Sequence, residues 1–364
     1  MQDSPLAKKV INECLRVKED EQVLIQTYDH TLGISDQLAL ETYKAGAVPF
    51  VNLTTQDGLL DLVTKVPEEF YGKTPRALLS MLDQVDAQVV IFGPRDPKIL
   101  KIAPGERFAK AFDSTKPVME KLVARKVRTA LLPVGGITPE RAQNYGFDLS
   151  SWRANHDNAV DVDMAKMSVL GKNLASKLKK ASKVRVTHSN GTDLAFAIND
   201  RPIYVRDGII DRDDMAQGNF GESLPSGTVV VAPIESSAEG IVRFEQPNAL
   251  MGKMVKGFTM NFRNGKMTSF DAKENLDAFS GMYSGASGDK DRLSVFSIGI
   301  NPNARPIGLF GADELVLGGI TVGIGANKDI GGKNDTTFGY GQTIYKATVE
   351  VDGTPLVKEG KVQV

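Results

Sequence analysis

The sequence predicts an α/β first half built on a doubly wound, mostly parallel sheet, followed by a β-rich α+β second half. Three observations predict it. Apolar strands alternate with amphipathic helices up to about residue 150. From Lys183 onward the apolar period changes from helical to alternating. Between Leu293 and Gly341, Gly and Asn are interleaved with short β-branched runs, the composition of closely approached backbone around a cleft. A chain of 364 residues is long for one core, so two domains are expected, at 1–182 and 183–364.

Residues 5–17 place Leu6, Val10, Ile11, Cys14 and Leu15 on one helical face, with Pro5 in the first turn where its missing N–H costs nothing. QVLIQT then reads as an apolar strand, ISDQLALETYKAGA after Ser35 as a helix stopped at Gly46, and VPFVNL as a second strand. The pattern repeats as LLSMLDQ (helix), AQVVIFGP (strand), FAKAFDSTKPVMEKLVARK (helix, interrupted by Pro117) and VRTALLPVG (strand). TYDHTLG follows the first strand where a dinucleotide-binding domain would carry its glycine fingerprint, so this half reads as scaffold rather than nucleotide site. Residues 160–181 form an amphipathic helix with Met164, Met167, Val169, Leu170, Leu174 and Leu178 on its apolar side, taken as the connection between domains.

In the second half, KVRVTHSNGTDLAFAI and FTMNFRNGKMTSF read as hairpins turned at Ser189-Asn190-Gly191 and Asn264-Gly265. Further strands are expected at TVVVAP, GIVRF, SVFSIGI, ITVGIG, QTIYKATVEVDG and KVQV, with one helix around AKENLDAFSGMY.

Bulk chemistry excludes several classes. With 44 basic against 45 acidic residues and no basic stripe, nucleic acid is not an expected partner; a small molecule or short peptide fits better. The N-terminus is too polar for a signal peptide, and no run of about 18 apolar residues could span a membrane. The one cysteine, Cys14, sits at an apolar helical position, as expected of a cytoplasmic protein without disulfides.

Several ordered blocks carry a family likeness: GTDLAFAINDRP, LPSGTVVVAPIESSAEG, IGINPNARPIG, ADELVLGGITVGIGAN, GGKNDTTFGYG and VDGTPLVKEGKV, together with the opening LAKKVINECLRVKEDEQVLI. They resemble the aminopeptidase T (thermophilic and leucyl aminopeptidase-like) metallopeptidases, which also resemble, more distantly, a dihydroxypyridine ring-cleaving dioxygenase. The likeness implies that fold, a homodimer, and hydrolysis of peptide N-termini or small amides at a pair of metal ions. Matched block by block, the ligand positions that the resemblance implies fall on Thr228, Val295, Thr321, Gly339 and Gly341, and a tyrosine position falls on Lys328. Between Ser189 and Val364 there is neither His nor Cys, so a shift of register supplies no imidazole for a zinc or cobalt pair. His30, His156 and His188 lie elsewhere and read as structural. No cofactor is expected and no metal site is supported by ligands. Polar groups kept beside the matched positions include Asp313 and Glu314, and an all-oxygen site for magnesium, manganese or calcium from Glu235, Asp313, Asp329 and Asp335 is conceivable but lacks a recognisable loop spacing.

The expected site therefore rests on what remains. Glu235, at the end of an apolar strand, is a candidate general acid or base with a raised pKa, or a partner for Arg243 in a structural ion pair. Lys328 would be a base or nucleophile if its cleft is of low dielectric, and one of an exposed loop pair if it is not. Tyr340 completes the catalytic candidates. Arg243, Asp335, Thr228, Val295, Thr321, Gly339 and Gly341 are candidate substrate-binding positions. Three readings stay open: a hydrolase with altered or absent metal dependence, a metal-independent enzyme using Glu235, Lys328 and Tyr340, and a non-catalytic ligand-binding descendant.

Overall fold

The apolar strand Gln22–Tyr28 is the hub of the first unit, pairing in parallel with Val48–Thr54 on one side and Ala87–Ile91 on the other. Val23, Leu24 and Ile25 are all fully buried, as a strand covered on both faces requires. Arg128–Leu132 extends the sheet in parallel, and Gly221–Ser223 joins it from far along the chain. The helix Leu32–Lys44 connects the first two strands, and Gly105–Arg125 precedes the fourth with Pro117 inside it. Leu24, Leu82, Val85, Leu122 and Val127 form one of its cores. The doubly wound parallel sheet expected of this half is therefore present.

The computed structural model describes residues 4–70, 72–97 and 105–364. Its compact units are Met1–Arg153 with Gly208–Pro225, and Ala154–Asp207 with Ser226–Val364. The division at 182/183 is thus corrected in two ways. The helix Met164–Leu178, capped by the Asp163 carboxylate on the Lys166 N–H (3.0 Å), belongs to the second unit and not to a connection. Its Gly171 lies so close to the strand Ile203–Arg206 that a Cβ there would stand 2.5 Å from Val205 Cγ1. Met164, Met167, Leu174 and Leu178 are buried as expected, but Val169 is 62 % exposed. The second correction is Gly221–Ser223, which returns to the first sheet.

The second unit has two main antiparallel sheets. One has eight strands and includes both expected hairpins, Lys183–His188 with Thr192–Ala197 and Thr259–Arg263 with Lys266–Asp271. The second hairpin turns at Asn264 and Gly265, both with positive φ, as a two-residue turn of matching twist demands. The other sheet runs in the order Gly339–Ile344, Ile320–Gly325, Leu293–Gly299, Thr228–Val231, Ile203–Arg206. QTIYKATVEVDG, expected as one strand, is two: the backbone breaks at Lys346 (φ 58°) and continues as Thr348–Val351 in the eight-stranded sheet.

Alternation divides the five-stranded sheet. Val229, Val231, Phe296, Ile298, Val322 and Ile324 face the core, where Phe296 meets Phe196 with ring centroids 5.3 Å apart. The turn at residues 301–304, after Leu293–Gly299, is held by Asn301, fully buried. Its amide donates to the carbonyls of Ala159 (2.9 Å) and Ser226 (2.8 Å) while its oxygen accepts from the N–H of Asn303 (2.9 Å) and Ala304 (3.2 Å).

Strand approach in the eight-stranded sheet is limited by Gly240, whose φ is +113° and whose Cβ, if present, would stand 2.0 Å from the Asp193 carbonyl of the neighbouring strand. Gly240→Ala is expected to lose at least about 1–3 kcal/mol from backbone strain alone, read as a lowered urea midpoint.

Candidate functional site

Residues paired directly across a sheet point to the same face. The registers Gly299↔Thr228, Ser297↔Val230, Ser297↔Thr321, Val295↔Gly323, Gly323↔Gly341, Gly325↔Gly339 and Thr321↔Thr343 therefore put Thr228, Val295, Thr321, Gly339 and Gly341 on one face, opposite the apolar core face. Five positions drawn from four separate sequence blocks converge. The face is largely removed from solvent: Thr321, Ser297, Thr343 and Thr228 are buried, Val295 is partly buried, and Gly339 is exposed at the edge.

Its chemistry is hydroxylic. Thr321 Oγ1 and Thr343 Oγ1 share a hydrogen bond of 2.8 Å. Ser297 Oγ is buried with no hydrogen-bond partner among the described residues. Val295 packs against Val230, Ala232 and Ile330. Over Gly341 lies the ring of Phe310, so that a Cβ on Gly341 would stand 2.6 Å from Phe310 Cε2. Over Gly299 pass the carbonyls of Glu314 and Val316, at 2.7 and 2.1 Å from the place of a Cβ. Thus the segment after Leu309 fills part of the space that larger side chains would need.

The three catalytic candidates are not brought together on this face. Glu235 forms a partly buried ion pair with Arg201, not Arg243; the side chains are 15 % and 7 % exposed. Glu235 Oε1 also accepts the Lys333 N–H at 2.7 Å, and Arg201 Nη1 donates to the Gly331 carbonyl at 2.7 Å. Burial pushes the Glu235 carboxyl up, but the backbone hydrogen bonds and the guanidinium outweigh it, and the pKa falls below the usual glutamate range. The expected raised pKa is corrected: this carboxylate is held ionised. Lys328 is 62 % exposed and pairs with Asp335, itself 84 % exposed, so the low-dielectric cleft is absent and the loop-pair reading describes it. The Asp335 N–H donates to Asp289 Oδ2 at 3.0 Å.

Tyr340 points to the core face, between Phe258 and Phe279 with centroids 5.1 and 4.9 Å away, and donates to Gln342 Oε1 at 2.9 Å. Burial raises its pKa far above neutrality, which removes it from proton transfer. Arg243 is exposed and its N–H donates to Thr192 Oγ1 at 3.0 Å, in the eight-stranded sheet. Asp313, another retained carboxylate, accepts the N–H groups of Ile307 (2.7 Å) and Gly308 (3.1 Å) and holds that turn.

Two groups on or beside the face have no role assigned from the sequence. Ser297 is one; its alternation with Phe296 and Ile298 was the available signal. Glu314 is the other. Its carboxylate is partly buried, makes no hydrogen bond to a described residue, and is pushed by burial up to about 7. Among the described residues, no three His, Cys, Asp or Glu side chains gather as a metal site.

The parallel-sheet unit and the antiparallel unit with this face together define an aminopeptidase T-like fold. Residues 150–299 match the family model described as thermophilic metalloprotease (M29), and the chain resembles the aminopeptidase T metallopeptidases. Among solved structures it is similar to wild-type AmpT from Thermus thermophilus, at 19 % identity and a TM-score of 0.75 over 99 % of this chain and 98 % of that one. It is also similar to 2,5-dihydroxypyridine dioxygenase from Pseudomonas putida, at 14 % identity and a TM-score of 0.66 over 100 % and 98 %. No curated protein matches the sequence.

Removing one member of a partly buried ion pair leaves the other without its charged hydrogen bond. Arg201→Ala is expected to cost about 1–3 kcal/mol, whereas Lys328→Ala should change stability by less than about 1 kcal/mol; urea unfolding of the two variants side by side checks the contrast.

Proposed function

We propose that this chain is an aminopeptidase-like protein that receives a peptide N-terminus or a small amide on the Thr228–Thr321–Gly341 face without a resident pair of metal ions. The observation that carries the reading is the convergence of five matched positions on one face whose side chains are hydroxyl, methyl or hydrogen. Those donors do not fit zinc or cobalt, which bind imidazole nitrogen and carboxylate oxygen in such sites. Four hydroxyls from Thr228, Ser297, Thr321 and Thr343 are suited to hydrogen-bonding an amide or ammonium group. The scattering of Glu235, Lys328 and Tyr340 weighs against an enzyme built on those three. With the reading go a cytoplasmic location, consistent with the single buried Cys14, and a homodimer acting on a small molecule or short peptide. Neither nucleic acid nor membrane is a partner in it; among the described residues no helix is long and apolar enough to cross a bilayer.

The test is a panel of aminoacyl fluorogenic substrates, assayed with and without added cobalt, zinc or manganese, alongside elemental analysis of the purified protein. No metal-stimulated release is expected. Release that rises with added metal overturns the reading.

A second reading, a hydrolase working without metal, is favoured by Glu314: a carboxyl that titrates near neutrality is matched to general-base duty. It requires that Glu314→Gln abolish any turnover found without metal. The same residue gives a stability test. Its folded pKa of about 7 lies above the ordinary glutamate value of 4.5. Between those pH values the folded chain keeps a proton that the unfolded chain has lost, so stability falls as pH rises and levels off above 7. Glu314→Gln should flatten that slope and, at pH 8, be the more stable by up to about 3 kcal/mol, measured by urea unfolding across pH.

A further inference from the structure

The parallel sheet of the first unit reverses its strand order at Gln22–Tyr28: the chain leaves this strand for the edge strand Val48–Thr54 and returns on the other side as Ala87–Ile91. Beyond the carboxyl ends of strands at such a reversal a crevice opens, and ligands of open α/β sheets bind there. The TYDHTLG stretch, which the proposed function leaves unused, begins at this point.

The segments beyond the strand ends are tied in a continuous network. Asp29 Oδ1 accepts the Gln56 N–H at 3.4 Å, Gln56 Oε1 accepts the Arg95 N–H at 2.9 Å, and the Arg95 carbonyl accepts the Thr138 hydroxyl at 2.8 Å. His30 Nε2 donates to the Gly135 carbonyl at 2.9 Å. A carbonyl only accepts, so in the neutral ring Nδ1 carries the lone pair; it is buried, has no hydrogen-bond partner among the described residues, and lies 3.7 Å from Asp29 Oδ1. Glu140 Oε2, beside Arg95, is also buried and unpartnered.

Arg141 is the cation of this network. Its Nε and Nη2 both donate to the Pro94 carbonyl, at 3.3 and 3.2 Å, which fixes one edge of the guanidinium. The side chain lies along the Gly93 and Gly136 backbones, 3.6 and 3.8 Å from where a Cβ on each would stand. Nη1 makes no hydrogen bond to a described residue, and no described carboxylate lies within ion-pair distance. The charge of Arg141 is felt by the Tyr28 phenol, which burial pushes up and the guanidinium pulls down. The local carboxylates are otherwise engaged: Asp29 by backbone N–H groups and Glu140 by Arg95. A fixed guanidinium with no ion-pair partner among the described residues calls for an anion, and two buried acceptors without a described hydrogen-bond donor call for a hydroxyl or ammonium.

We infer that the crevice bounded by residues 28–31, 92–97 and 133–141, beyond the carboxyl ends of Gln22–Tyr28, Ala87–Ile91 and Arg128–Leu132, binds a small carboxylate or phosphate that also carries a hydroxyl or ammonium group, with Arg141 holding the anionic group. This site lies within the first unit and does not depend on the function proposed for the second.

Isothermal titration of the full chain at low ionic strength tests it with two probes, L-lactate for a hydroxy-carboxylate and glycerol 3-phosphate for a phosphate ester. At least one is expected to bind with 1:1 stoichiometry, and Arg141→Gln to weaken it about tenfold or more, as expected for loss of a charged hydrogen bond. Binding of one probe alone identifies which anion the site takes. If Arg141→Gln proves misfolded by circular dichroism, Arg141→Lys, which keeps the charge and loses the fork, must weaken binding several-fold. Arg185→Gln, in the eight-stranded sheet, must leave affinity unchanged. Failure of both probes to bind the wild type, undiminished binding by the Arg141 variants, or equal loss in Arg185→Gln overturns the inference.

Discussion

In the strands Thr228–Val231, Leu293–Gly299, Ile320–Gly325 and Gly339–Ile344, successive side chains must point to opposite faces of one sheet, and that two-residue period governs the second unit. Once Phe296, Ile298, Val322 and Ile324 commit to the core, Val295, Ser297, Thr321 and Gly323 have no choice of side. The face they form is therefore a by-product of core formation, and its contents are free to vary in chemistry while the fold persists. A one-residue slip of any strand would bury its hydroxyls in the core and put its apolar side chains on the opposite face, so register and site are fixed by the same free energy.

The carboxylates and cations of this unit are largely spent on holding loops. Glu235 fastens the Lys333 turn to Arg201, Asp313 gathers two backbone N–H groups, and Asp335 closes on Lys328. Each looks, by residue type, like a catalytic group. What distinguishes Glu314 from them is the lack of any such partner among the described residues combined with partial burial, and a carboxyl in that setting is the one that changes protonation near neutrality.

The alternating and helical periods were legible in the sequence wherever a segment was long enough to display them: Gln22–Tyr28, Leu32–Lys44, the hairpin at Asn264-Gly265 and the helix Leu276–Gly285 all stand where the pattern put them. Ile203–Arg206 and Gly221–Ser223 were not legible, because four and three residues are too few to show a period and their pairing is wholly non-local. The matched positions on the sheet face were readable because a family frame fixes residue spacing along strands. The roles of Glu235, Lys328 and Tyr340 were not, since whether a polar side chain meets a guanidinium, water or an aromatic cluster depends on segments tens of residues away. Arg201 and Glu235 are the clearest instance: nothing local in either stretch marks the other as its partner.

The short strand Gly221–Ser223 bears on how the chain is assembled. Its partner Arg128–Leu132 is synthesised some ninety residues earlier, and the stretch between them includes the whole of Ala154–Asp207, which belongs to the other unit. During translation the parallel sheet must wait with an open edge of unpaired peptide groups until this late segment arrives, the circumstance in which nascent sheets recruit the wrong strand. The loop-closure entropy grows only slowly with length, so the delay weighs on folding rate and on protection from aggregation rather than on final stability. Slow synthesis through this region would lengthen that exposure, and a piece of the chain ending before Gly221 would carry it permanently.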